Sequence, residues 1–198
     1  MFSEEEIAII ISNKQIDEVV AQLKKEFIES EARYLKIKNH DFLAIILLSP
    51  EVGKKMANQN ISLGEEMSLQ KKARKYSKGG FFLSKDPVVD GLKYLIKSFP
   101  KWEDKFYTAI NKCLDILIQT EELQLINDNS ISFESRLMRS PYFLVRFISS
   151  LFLESDEEIL QTRKIKKDEL EKLNEIGEKV GLGKHLIFKE FMAKYELK

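Results

Sequence analysis

Apolar residues recur along most of this chain at the three-and-four step of one helix face. Ile16, Val20, Leu23 and Phe27 do so, as do Val88, Leu92, Leu95 and Phe99. Trp102, Phe106, Ile110, Cys113 and Leu117 form a third stripe, and Leu170, Leu173, Ile176 and Val180 a fourth. Side chains at that spacing share one side of a 3.6-residue turn, so each set predicts an amphipathic helix. Strand-like alternation occurs once. Leu123 to Ile126 and Ile131 to Phe133 flank the polar run Asn127-Asp128-Asn129-Ser130, which predicts one short β-hairpin over 123–133.

Helix starts are marked by capping chemistry. Ser49-Pro50, Asp86-Pro87 and Ser140-Pro141 each place an oxygen acceptor before a proline, whose missing N–H costs nothing in a first turn. Ser3-x-x-Glu6 and Ser155-x-x-Glu158 are capping boxes. Together these predict helices near 4–12, 14–36, 41–48, 50–58, 62–77, 87–98, 101–120, 134–153, 156–164, 167–180 and 184–195. The expected fold class is all-α, a multi-helix bundle of about 9–11 helices. It reads as a single helical domain over 1–198. The double glycine Gly79-Gly80 offers a subdivision into 1–78 and 81–198, or an ordinary helix end.

Composition narrows the class. The chain has 198 residues, 43% hydrophobic and 10% aromatic, too apolar for a disordered segment. Thirty-two Lys+Arg balance thirty-two Asp+Glu, which argues against a wholesale polyanion binder and leaves room for a local basic patch. One cysteine, Cys113, excludes an intramolecular disulfide framework. No apolar run approaches the ~20 residues of a membrane span, and the acidic start Ser3-Glu4-Glu5-Glu6 is unlike a secretory leader. A cytoplasmic protein with no membrane partner is expected. The abundance of Lys, Ile and Glu resembles the usage of an AT-rich bacterial genome.

Tests for catalytic chemistry return little. His40-Asp41 has the form of the His-Asp pair of metal-dependent phosphohydrolases, but those sites need an earlier histidine ligand and none precedes His40. Asp41 reads instead as the N-cap of the apolar helix that follows. Neither His40 nor His185 follows a Glu by three residues, so the di-iron bundle pattern is absent. Cys113 shares an apolar stripe and reads as a buried small residue. Gly177 to Lys184 imitates a phosphate loop, but the first glycine is one residue too early and His185 stands where a hydroxyl belongs. Adjacent carboxylates such as Glu65-Glu66 point about 100° apart on a helix and do not form an acid–base pair. No metal and no cofactor are expected.

Two features rise above this background. Residues 51–80 hold seven Lys/Arg against three Glu, concentrated at Lys71, Lys72, Arg74, Lys75 and Lys78. On a helix Leu69, Ala73 and Tyr76 share one face, with Lys71, Arg74, Lys75 and Lys78 opposite, a disposition suited to nucleic acid, phosphate or an acidic protein surface. The second is Leu173 to Phe191, where Gly181-Leu182-Gly183 joins two helices at the spacing of a helix-turn-helix. Its second helix offers Lys184, His185 and Lys189 but no Arg, Asn or Gln, the usual readers of bases. The strongly apolar segment with Tyr142, Phe143, Phe147 and Phe152 reads as the central core helix or a subunit contact. The leading expectation is a non-enzymatic protein that acts by macromolecular interaction, with a protein partner or by self-association. A nucleic-acid-associated protein using the basic helix is the alternative, and an enzyme whose site is assembled from distant residues is the third.

Overall fold

The structure, a computed structural model, describes residues 2–56, 61–79, 81, 85–118, 131–153 and 159–198. Among these it is all-α, with nine α-helices and a pair of short strands. In chain order they are α1 (Glu4–Ser12), α2 (Lys14–Glu31), α3 (Asn39–Lys55), α4 (Leu63–Tyr76), α5 (Pro87–Leu117), α6 (Phe133–Arg139), α7 (Tyr142–Phe152), β1 (Arg163–Ile165), α8 (Lys167–Lys179), α9 (Leu186–Met192) and β2 (Tyr195–Leu197).

The centre of the bundle is α3. Fourteen consecutive residues, His40 to Gly53, are buried, and α1, α2, α4, α5, α7 and α8 all pack on it. A helix apolar on every side has to be surrounded, and Phe42 to Leu48 meets that condition. This corrects the expectation that Tyr142 to Phe152 forms the core helix, since the first turn of α7 is open. It also corrects the division at Pro50. The proline sits inside α3, where it removes the N–H that the Ile46 carbonyl would receive. The Ser49 hydroxyl donates to that carbonyl instead, at 2.7 Å, so the helix continues. Asp41 is not the N-cap either: the helix begins two residues earlier, with Lys38 at the cap and Asp41 in the first turn.

The stripes predicted over 87–98 and 101–120 join into one 31-residue helix, α5, which runs through Pro100. Asp86 caps it as expected, its carboxylate accepting from the Val88 and Val89 N–H groups. The amphipathic α2 lies along α5 through Phe27, which meets Phe106 edge-on with ring centroids 5.5 Å apart. Pro141 does open a new helix and separates α6 from α7. One connected set of buried apolar residues includes Leu69 and Tyr76 before Gly79 and Val88 and Leu92 after it, with α4 packed directly on α5.

The strands are not where alternation suggested. The first arm of the expected hairpin and the capping box at Ser155 lie outside the described residues. In the second arm, Ser132 is the N-cap of α6 and Phe133 its first residue. The strand pair is instead β1 with β2, parallel, in the register Arg163 to Tyr195 and Ile165 to Leu197. Strand β1 begins at Arg163, where the helix expected over 156–164 should have been ending, and α9 stops at Met192, short of the expected 195, with β2 following it.

Candidate interaction surface on α4

The basic helix forms as its sequence directs. The Ser62 hydroxyl accepts from the Glu65 N–H at 3.3 Å, and the Glu65 carboxylate accepts from the Ser62 N–H at 2.9 Å. These two bonds close a capping box at the start of α4. Leu69, Ala73 and Tyr76 are fully buried and dock the helix on the body. Burial raises the Tyr76 phenol far above its ordinary value, so it stays neutral, with a hydrogen bond between its hydroxyl and the Phe2 backbone.

The structure divides the five predicted basic residues into three groups. Lys72 turns inward, where its ammonium donates to the Glu51 carboxylate of α3 at 3.1 Å, both side chains being buried. It does not belong to the presented surface. Burial pushes the Glu51 carboxyl up, but the charges of Lys54, Lys72 and Lys55 outweigh that and hold it below the usual range. Lys78, just past the helix, is exposed but lies 3.8 Å from Glu4 in the first turn of α1. Lys71, Arg74 and Lys75 are exposed and form no ion pair among the described residues.

The same outward face carries two residues that the sequence reading passed over. Leu63 is 75% exposed and Met67 63% exposed. They sit one turn apart and lead directly into Lys71 and Arg74. The helical wheel contained the signal, since Met67 falls opposite Leu69, Ala73 and Tyr76 and Leu63 at the margin of the outward face.

The other sequence candidates are occupied. Phe147 packs edge-on against Phe2 at 5.1 Å, and Phe152 lies tilted against Phe188 at 5.3 Å, both in the core. Phe143 is half-buried beside Tyr142. Tyr142 is exposed, but its hydroxyl donates to the Glu6 carboxylate of α1. Arg146 donates to the same carboxylate through Nε at 2.6 Å and Nη2 at 2.8 Å. Burial pushes the Glu6 carboxyl up, and the bonds from Arg146, Tyr142 and the Ser3 backbone bring it down to about 2.

At the C-terminal hairpin, Gly177 lets α8 approach α9 closely, for a Cβ there would fall 2.1 Å from the Phe188 ring. Four of the seven α9 residues are buried. Lys184 is bonded to Asp115 and His185 is buried, which leaves Lys189 as the exposed cation of α9 itself. Burial first, and then the charge of Lys184, lower the His185 imidazole to about 4, so it is neutral near pH 7.

Among the described residues no three His, Cys, Asp or Glu converge as a metal site. His40 is buried with Nδ1 3.0 Å from Asp41 and Nε2 3.3 Å from Glu4. Burial pushes the Cys113 thiol up to about 12, which removes its nucleophilicity. A groove of about 310 Å³ between α2 and α5 is lined by Leu23, Glu26, Asp104, Lys105 and Lys112, among others. There Lys105 bonds Glu26 at 2.8 Å and Lys179 of α8 lies 3.0 Å from Asp104, so its carboxylates are already matched. No described helix is long and apolar enough to cross a membrane.

Compared with known proteins, the chain matches no family model, no curated protein and no solved structure.

Proposed function

We propose that this is a non-enzymatic protein that acts by holding a protein partner against the outer face of α4. One observation carries the reading: Leu63 and Met67, both exposed, stand in line with Lys71, Arg74 and Lys75, which have no ion-pair partner among the described residues. Exposed apolar anchors beside cations that no described residue neutralises form a surface with unmet contacts of two kinds. A protein surface with an apolar centre and an acidic margin meets both. A cytoplasmic setting agrees with the single buried thiol, Cys113. The matched charges of the α2–α5 groove support a binding protein over an enzyme.

Nucleic acid is the second reading, favoured by three such cations on one helix. Leu63 and Met67 on the same face favour protein, because a phosphate backbone offers them nothing to bury against.

The experiment is affinity isolation of the tagged full chain from its own cells, with and without nuclease. It compares wild type, Lys71→Glu/Arg74→Glu/Lys75→Glu and Leu63→Ser/Met67→Ser. The expected result is one protein that survives nuclease with wild type and is lost from both variants. Recovery of nucleic acid, or of a protein retained by both variants, overturns the proposal.

A further inference from the structure

The partner's docking element follows from the order of residues along α4, given the reading of its outer face as the binding surface. We infer that this element is an acidic amphipathic helix lying antiparallel to α4.

The presented residues form a straight line. At 100° per residue, Leu63, Met67, Lys71 and Arg74 fall within an arc of roughly 80°, with Lys75 on its flank. Leu63 and Met67 are about 6 Å apart along the axis, and Arg74 lies about 10 Å beyond Met67. The stripe is therefore apolar for its first turn and cationic afterwards. These side chains stand as a row on one helix, and a second helix packs on such a row through its own side-chain ridges. An extended peptide is held instead by a groove or an open sheet edge.

Charge complementarity fixes the composition and the direction. The cations of α4 lie in its last turns, where the helix dipole already favours them. Carboxylates on a partner helix are favoured in its first turns for the same reason. Setting those first turns against Lys71, Arg74 and Lys75 aligns the two helices antiparallel. The third and fourth turns of the partner then reach Met67 and Leu63 with apolar side chains. The chain already uses this pairing internally. Lys78, just beyond the end of α4, lies 3.8 Å from Glu4 in the first turn of α1, a helix that opens with Glu4, Glu5 and Glu6.

The test uses the full chain and three fluorescent, side-chain-stapled peptides of about 16 residues, long enough to form a helix. The first has glutamates in its first two turns and two leucines four residues apart in its later turns. The second has the same residues in reverse order, and the third has lysine for glutamate. In anisotropy titrations the first peptide should bind at least about tenfold more tightly than either other, and more weakly as salt is added. Lys71→Glu/Arg74→Glu/Lys75→Glu and Leu63→Ser/Met67→Ser should each weaken it by about tenfold or more, with circular dichroism unchanged because all five side chains are exposed. Equal binding of the reversed peptide overturns the antiparallel arrangement. Failure of the first peptide, or binding unaffected by the variants, overturns the helix assignment. If the cellular partner is still lost from the α4 variants in that case, the reading of α4 stands and only this inference falls.

Discussion

Replacing Glu6 by Gln probes how α1 is held to the body. The Glu6 carboxylate is nine-tenths buried and receives Nε and Nη2 of Arg146, the Tyr142 hydroxyl and the Ser3 N–H. Its ionisation lies at about 2 instead of 4.5. At about 1.4 kcal/mol per tenfold change in proton affinity, the ionised form contributes about 3 kcal/mol to the folded state. Loss of one member of a buried pair costs a similar amount, about 3–5 kcal/mol. Because folding lowers this carboxyl, its contribution is complete above pH 4.5 and lost as the pH falls through about 2. Urea unfolding followed by circular dichroism should therefore show Glu6→Gln less stable by about 3 kcal/mol at pH 7. Between pH 4.5 and 2 wild type should lose about that much more than the variant, since Glu51 and the other lowered carboxyls decline in both, and the two converge near pH 2. Equal midpoints at pH 7, or parallel declines in acid, would refute the assignment.

Three further outcomes are expected. His185 is lowered by folding from 6.5 to about 4, so its contribution is complete above 6.5 and lost as the pH falls toward 4; His185→Phe should flatten the stability profile in that window, by up to about 3 kcal/mol in urea titrations. Gly53→Ala places a Cβ 2.1 Å from the Tyr107 hydroxyl and should lower stability by about 1–3 kcal/mol in thermal unfolding. Tyr107→Phe in the same chain should restore most of that, because it removes the oxygen that the added Cβ would strike. Ser49→Ala should cost about 1–3 kcal/mol in the same assay, since it strands the Ile46 carbonyl beside Pro50.

The helical class was legible because the apolar stripes recur at helical spacing and the predicted caps hold at Ser3 and Asp86. Pro50 was not, because Ser-Pro serves two purposes. At 140–141 the serine ends α6 and the proline opens α7, while at 49–50 the serine hydroxyl fills the bond the proline removes. The choice depends on whether neighbouring helices surround the preceding turn, as they do around α3, and that is a tertiary fact. The strand pair was invisible because each arm has three residues and the arms are far apart in sequence. On the basic helix the outward set Lys71, Arg74 and Lys75 was legible from the wheel. The inward turn of Lys72 was not, since its carboxylate lies on another helix at Glu51. Beyond their place on the wheel, Leu63 and Met67 carry no mark in the sequence that separates an exposed apolar residue from a buried one, and only the packing of α4 shows them open to solvent.

The central claim is that the outer face of α4 is the surface the protein uses. The most direct measurement places a photo-crosslinking amino acid at Met67 and, as a control, at the exposed Lys164 of β1, in the otherwise native chain in its own cells. The account predicts a discrete, nuclease-resistant adduct from position 67, absent from position 164 and lost when Lys71, Arg74 and Lys75 are changed to Glu. Equal adducts from both positions, or none from position 67, would contradict it.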